Sequence, residues 1–215
     1  MHTQTKQNTV DLKYVLAKTI RVVTIPPLAA LFLLMLLRSF GRFDVFSKAA
    51  DFYFSFAFLV LVPILAYPFS YLHKAFRQRG REGQREAAFL FATAGYFAAM
   101  VYAIVGAVSQ SLMVLLFTYF LSLTVLSVFN KILKVRASGH ACSIAGPLVL
   151  AVYFIGIKYA VVCAALFALV VWASLYMKRH TLKELMFGAL SAVISFFASV
   201  FFVDIAFFLR QLNIL

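Results

Sequence analysis

Carboxylates are the scarcest ionisable groups in this 215-residue chain: Asp11, Asp44, Asp51, Glu82, Glu86, Glu184 and Asp204 are the whole set, against 20 Lys and Arg. Charge of either sign is thin, at 13% of residues where a soluble domain carries about 25%. That shortage excludes a disordered chain, which needs charge in place of apolar residues. Two cysteines, Cys142 and Cys163, are too few for a disulfide scaffold, and both fall in apolar stretches where thiols pack as small hydrophobes. The sequence has no carboxylate or cysteine cluster of the kind that holds magnesium or zinc, no internal repeat and no low-complexity tract.

What is present is apolar. The chain is 64% hydrophobic and 17% aromatic, with 25 phenylalanines and a mean hydropathy of +0.96. One soluble core cannot hide so much apolar surface, so an integral membrane protein is expected. The formal charge of +13 sits in short connectors between apolar runs rather than on one soluble face. That placement excludes a soluble nucleic-acid binder and makes membrane lipids the expected partners.

Seven apolar runs, near 21–38, 50–72, 87–108, 111–130, 141–157, 159–177 and 185–209, approach the 20 or so helical residues that cross a bilayer. Each is apolar all round and lacks the alternation of a barrel strand, so helices are expected. The predicted fold is all-α: a polar, basic segment over 1–20, then a single transmembrane domain over 21–215, a bundle of about seven helices. No small-residue cleavage site follows the first run, which is therefore expected to be retained. Alternate connectors are unequal in Lys and Arg. The N-terminal segment and the 73–86, 131–140 and 178–184 connectors hold fifteen, against five on the other side: Arg38, Arg42, Lys48, Lys158 and Arg210. The richer side, with the N-terminus, is expected in the cytoplasm, and the expected location is a bacterial inner membrane.

Chemistry gathers at that richer end. His180 and Glu184 stand four apart at the start of the last helix, on one face and about a turn apart. The connector with His140 emerges on the same side, and Ser138-Gly139 opens the helix after it, where free backbone N–H groups favour an anion. Two histidines, a carboxylate and several cations suit phosphoryl transfer, which needs positioning and stabilised charge on phosphoryl oxygens. Asp204 reads instead as an outer-interface carboxylate near Arg210.

The run Arg136-Ala137-Ser138-Gly139-His140, followed about 40 residues later by His180-Thr181-Leu182-Lys183-Glu184 with Gly188 beyond, resembles the second and third motifs of the type 2 phosphatidic acid phosphatase (PAP2) superfamily. The resemblance covers roughly residues 111–200. It implies a PAP2-like core and an integral membrane phosphatase acting on a lipid phosphate or diphosphate. By the resemblance His180 is the nucleophile, Glu184 fixes its tautomer, and His140 protonates the leaving alkoxide and then activates water. Phosphate would be held by Arg136 with Lys131 or Lys134, by Ser138 and Gly139, and by Arg179 or Lys178. No metal or other cofactor is expected.

The sequence departs from the family pattern at three positions. Ala137 stands where the family has proline, Glu184 where it usually has Asp, and Ser174 where it has an arginine six residues before the second histidine. The alternative expectation is accordingly a catalytically silent protein of the same fold, which binds lipid headgroups or acts in assembly. A CDP-alcohol phosphotransferase would need several aspartates along one helix, and a transporter a pair of Gly- or Pro-broken helices; the sequence has neither.

Overall fold

A computed structural model describes residues 11–41 and 44–212; the first half of the expected N-terminal polar segment lies outside them. Every regular element among the described residues is helical. In chain order these are α1 (Leu12–Val23), α2 (Pro26–Phe40), α3 (Ala49–Phe56), α4 (Val62–Ile64) and α5 (Ala66–Leu72), followed by α6 (Lys74–Arg77) and α7 (Gly80–Val105). Then come α8 (Gln110–Ser127), α9 (Gly139–Ile155), α10 (Ala160–Tyr176) and α11 (Leu182–Gln211). A π-turn over Ala57–Leu61 joins α3 to α4, so that Ala49–Leu72 is one span, and a second π-turn carries α8 on to Ile132.

All seven expected apolar runs are helical, but they do not make seven spans. Among the described residues five helices are long and apolar enough to cross a membrane, or six if α1 and α2 count as one. The differences have local causes. Pro26 and Pro27 have no backbone N–H, so the α1 ladder stops at Thr24 and α2 restarts 64° away. The run expected at 141–157 is α9, whose 17 residues reach about 25 Å, short of a hydrocarbon core.

Most of the expected polar segment that the structure describes is α1, an amphipathic helix. Ala17 is buried and Ile20, Arg21 and Thr24 are half-buried on one face, while Leu12, Val15, Leu16, Val22 and Val23 are exposed. The Tyr176 hydroxyl donates to Asp11 Oδ2 at 2.7 Å, and Arg21 Nη1 donates to Ser174 Oγ at 2.7 Å. Asp11 and Arg21 lie about 15 Å apart along the helix axis, yet both meet the last turn of α10. Helix α1 therefore crosses the end of α10. Exposed apolar residues beside Lys13 and Lys18 suit such a helix to the membrane interface.

The core runs along α8, where Leu112 to Leu116 are all buried, and α11 is packed against it and α9. Small residues let α11 approach: Gly188, Ser191, Ala192, Ser195 and Ser199 are buried along it. Each of these serines donates its hydroxyl to the carbonyl four residues earlier, at 2.7–2.8 Å, so none of the three hydroxyls is buried unpaired. Large apolar side chains such as Phe32, Phe97, Val161, Phe197 and Phe201 are exposed on the outside, as lipid-facing residues would be. At the end opposite His180, Asp204 accepts from Gln110 Nε2 at 2.7 Å rather than meeting Arg210, whose guanidinium lies over Phe207.

Candidate active site

Helix α11 starts where it does because Thr181 and Glu184 form a capping box. Thr181 Oγ1 accepts from the Glu184 N–H, and Glu184 Oε2 accepts from the Thr181 N–H, both at 3.3 Å. The same carboxylate oxygen lies 2.9 Å from His180 Nδ1. An ionised carboxylate only accepts, so the neutral His180 ring carries its proton on Nδ1 and leaves Nε2 with a lone pair. Burial pushes the His180 pKa below its ordinary value of 6.5, against the opposing pull of Glu184. Arg21 and Arg85 add to the depression. Near neutral pH His180 is thus an uncharged base with a defined tautomer.

Glu184 also organises the 131–140 connector. Its Oε1 lies 3.4 Å from Arg136 Nε, and its backbone carbonyl accepts from the Ser138 N–H at 2.8 Å. Gly188, one turn further on, permits the approach: a Cβ there would overlap the Ser138 carbonyl oxygen. The connector is shaped from its other side by Asn130, whose side chain donates to the Ala137 carbonyl at 3.2 Å and accepts from the Ala137 N–H at 3.1 Å. Proline at 137 could not make the second bond.

His140 sits in the first turn of α9, which Ser138 caps by accepting from the Ala141 N–H at 3.3 Å. Its Nε2 is 3.2 Å from Thr24 Oγ1 in the break between α1 and α2. The Thr24 hydroxyl proton goes to the Ile20 carbonyl at 2.6 Å, so His140 donates from Nε2 and the neutral ring keeps Nδ1 as its basic nitrogen. Burial pushes the His140 pKa down to about 3, the charge of Arg21 adds to that shift, and the same charge reaches His180.

The expected phosphate ligands divide into two groups. Arg136, although its side chain is 78% exposed, and half-buried Arg179 belong to the cluster: Arg136 meets Glu184, and Arg179 acts on Arg21. Gly139 and His140 hold first-turn N–H groups with no acceptor within α9. Ser138 is placed beside them with its N–H engaged by Glu184, while its hydroxyl oxygen accepts the helix-cap bond and keeps its proton to donate. Lys131 turns to α7, with its ammonium 5.0 Å from the Phe89 ring centre. Lys134 and Lys178 are exposed and take left-handed backbone conformations, φ 54° and 50°, where their connectors reverse.

Three residues of the cluster were not among the sequence candidates: Arg21, Thr24 and Arg85. Arg21 and Arg85 read in the sequence as topogenic cations, and nothing in a single sequence joins α1 to α9 or α10. The available signal was the spacing of Ala17, Arg21 and Thr24 on one helical face, followed at once by a double proline. The four Lys- and Arg-rich segments do meet at one end of the bundle. Arg21, Arg85, Arg136 and Arg179 come from all four, around His180 and Glu184. Among the described residues no three His, Cys, Asp or Glu side chains gather as metal ligands. The assembled groups can attack an electrophile through an imidazole nitrogen, exchange a proton and neutralise an anion. Set against protein-family models, curated proteins and solved structures, the chain matches none.

Proposed function

We propose that this chain is an integral membrane phosphatase of PAP2-like core that hydrolyses a lipid phosphate or diphosphate monoester through a phosphohistidine. The observation that carries the reading is the 2.9 Å His180–Glu184 contact, which leaves His180 Nε2 unprotonated at the end of the bundle where His140 and four arginines meet. In the reaction, Nε2 of His180 attacks phosphorus and the bond from phosphorus to the ester oxygen breaks. The departing alkoxide, a poor leaving group when bare, takes a proton that the neutral His140 ring relays through Nδ1 from the phosphate monoanion of the substrate. Glu184 stabilises the positive charge that forms on His180. Neutral His140 then takes a proton from water, whose oxygen bonds to phosphorus as the N–P bond breaks, and inorganic phosphate leaves. Arginine forks and the first-turn N–H groups of α9 hold the phosphoryl oxygens throughout. No metal or other cofactor is needed for these steps. A lipid fits as substrate because the site lies at the end of an apolar bundle; the charge bias of the connectors supports a cytoplasmic face, and the membrane we propose is a bacterial inner membrane.

The engagement of the Ser138 N–H by Glu184 favours a second reading, a silent member of the same fold that binds lipid headgroups. The two are separated by trapping. Rapid quenching of purified protein with 32P-labelled lipid phosphate should give an acid-labile, base-stable label on the peptide containing His180, absent from His180→Ala. Binding of the lipid without any such label, and without phosphate release, would establish the silent reading.

A further inference from the structure

Arg21 is a half-buried guanidinium that pairs with no carboxylate among the described residues. Its Nη1 donates to the hydroxyl of Ser174, which is fully buried. The described residues form three ion pairs, Arg79–Glu86, Arg136–Glu184 and His180–Glu184, and none includes Arg21. Its neighbours instead share its sign. It lies close enough to Arg179 for their charges to act on one another, and its own charge acts on His140 and His180. Setting topology or attracting anionic headgroups needs a cation turned to the interface. Holding one inward, among like charges and against a neutral hydroxyl, is unfavourable unless an anion enters the cluster.

The position of Ser174 says which anion. The backbone N–H of Arg179 donates to the Ser174 carbonyl at 3.0 Å, so the residue that anchors Arg21 is tied to the chain leading into His180. A guanidinium resting on Ser174 occupies the place that an arginine side chain at 174 would command. We propose that Arg21 is a phosphate-binding residue of this site, delivered by α1 where α10 provides only a serine; this deepens the phosphoryl-transfer reading and rests on it. The ligand it takes is a phosphoryl group with at least two free oxygens, which suits its planar fork. Ser174 is then an anchor, and adding a second guanidinium there would crowd the first.

The test uses the full chain purified in detergent, with affinities read by calorimetry for inorganic phosphate and for a short-chain phosphatidic acid. Arg21→Gln keeps a donor for Ser174 and removes the charge. It should weaken both probes about 10- to 100-fold, while Arg21→Lys should retain part of the affinity and Ser174→Ala, which removes the anchor and keeps the charge, should weaken both probes by less than Arg21→Gln does. The double variant Arg21→Ala with Ser174→Arg should regain affinity that Arg21→Ala alone loses, which a purely structural role for Arg21 would not produce. It also decides the matter if Arg21→Gln does not survive extraction. Unchanged phosphate affinity in Arg21→Gln, a loss confined to the lipid, or a native chain that binds neither probe would overturn the proposal. A native chain that binds phosphate through Arg21 yet releases none from any lipid ester would sink the phosphatase and leave the anion site standing.

Discussion

At the scale of the residue, Glu184 is the hub: one side chain meets His180, the Thr181 N–H and Arg136, and its carbonyl fixes Ser138. The pairing of His180 with Glu184 was legible from spacing alone, because four residues on a helix make one face. The role of Arg21 was not, since its partner stands 153 positions away on another helix. The proposed chemistry requires neutral His180, whose pKa is held below 6.5 by burial, so the acidic limb of kcat/KM should lie below pH 6.5. Glu184 pulls that pKa upward, so Glu184→Gln should move the acidic limb to lower pH and reduce kcat about 100-fold or more. A limb that stays in place would mean that a different group controls it. Stability has the same sign. The unfolded chain takes up the His180 proton first, so this group's contribution is complete above the unfolded value of 6.5 and declines as pH falls from there toward the folded one.

At the scale of the element, the site depends on two close approaches. Helix α9 is held to α11 through Ser138 and Gly188, and the connector before it is held to α8 through Asn130 and Ala137. Gly188→Ala should lower stability by about 1–3 kcal/mol through overpacking and cut turnover together with it, as thermal unfolding in detergent would register. Ala137→Pro removes one hydrogen bond and should cost about 1 kcal/mol. An unchanged melting temperature in Ala137→Pro would show that the Asn130 clasp is unimportant. The seven apolar runs were legible because each is a long stretch with at most two charged residues. The break at Thr24 and the shortness of α9 were harder to see. A double proline marks a helix start as readily as a bend, and hydropathy does not report where a ladder of hydrogen bonds stops.

At the scale of the whole molecule, four basic segments far apart in sequence converge on one end of an apolar bundle, and the carboxylate scarcity of the chain leaves that end positive. Alternation of Lys and Arg along the sequence foretold which connectors share a side. It could not show that α1 lies across the bundle end, because an interfacial helix and a short polar tail have similar compositions. With Cys142 and Cys163 replaced, a single cysteine at Lys134 should resist a membrane-impermeant thiol reagent in intact cells and react in inverted vesicles. Reaction from outside would reverse the topology. The account as a whole stands on one assay: release of inorganic phosphate from phosphatidic acid, phosphatidylglycerol phosphate and a polyprenyl diphosphate by purified native protein and by His180→Ala. The native chain should release phosphate from at least one of them and folded His180→Ala from none. No release by the native chain, or equal release by both, would contradict the phosphohistidine mechanism.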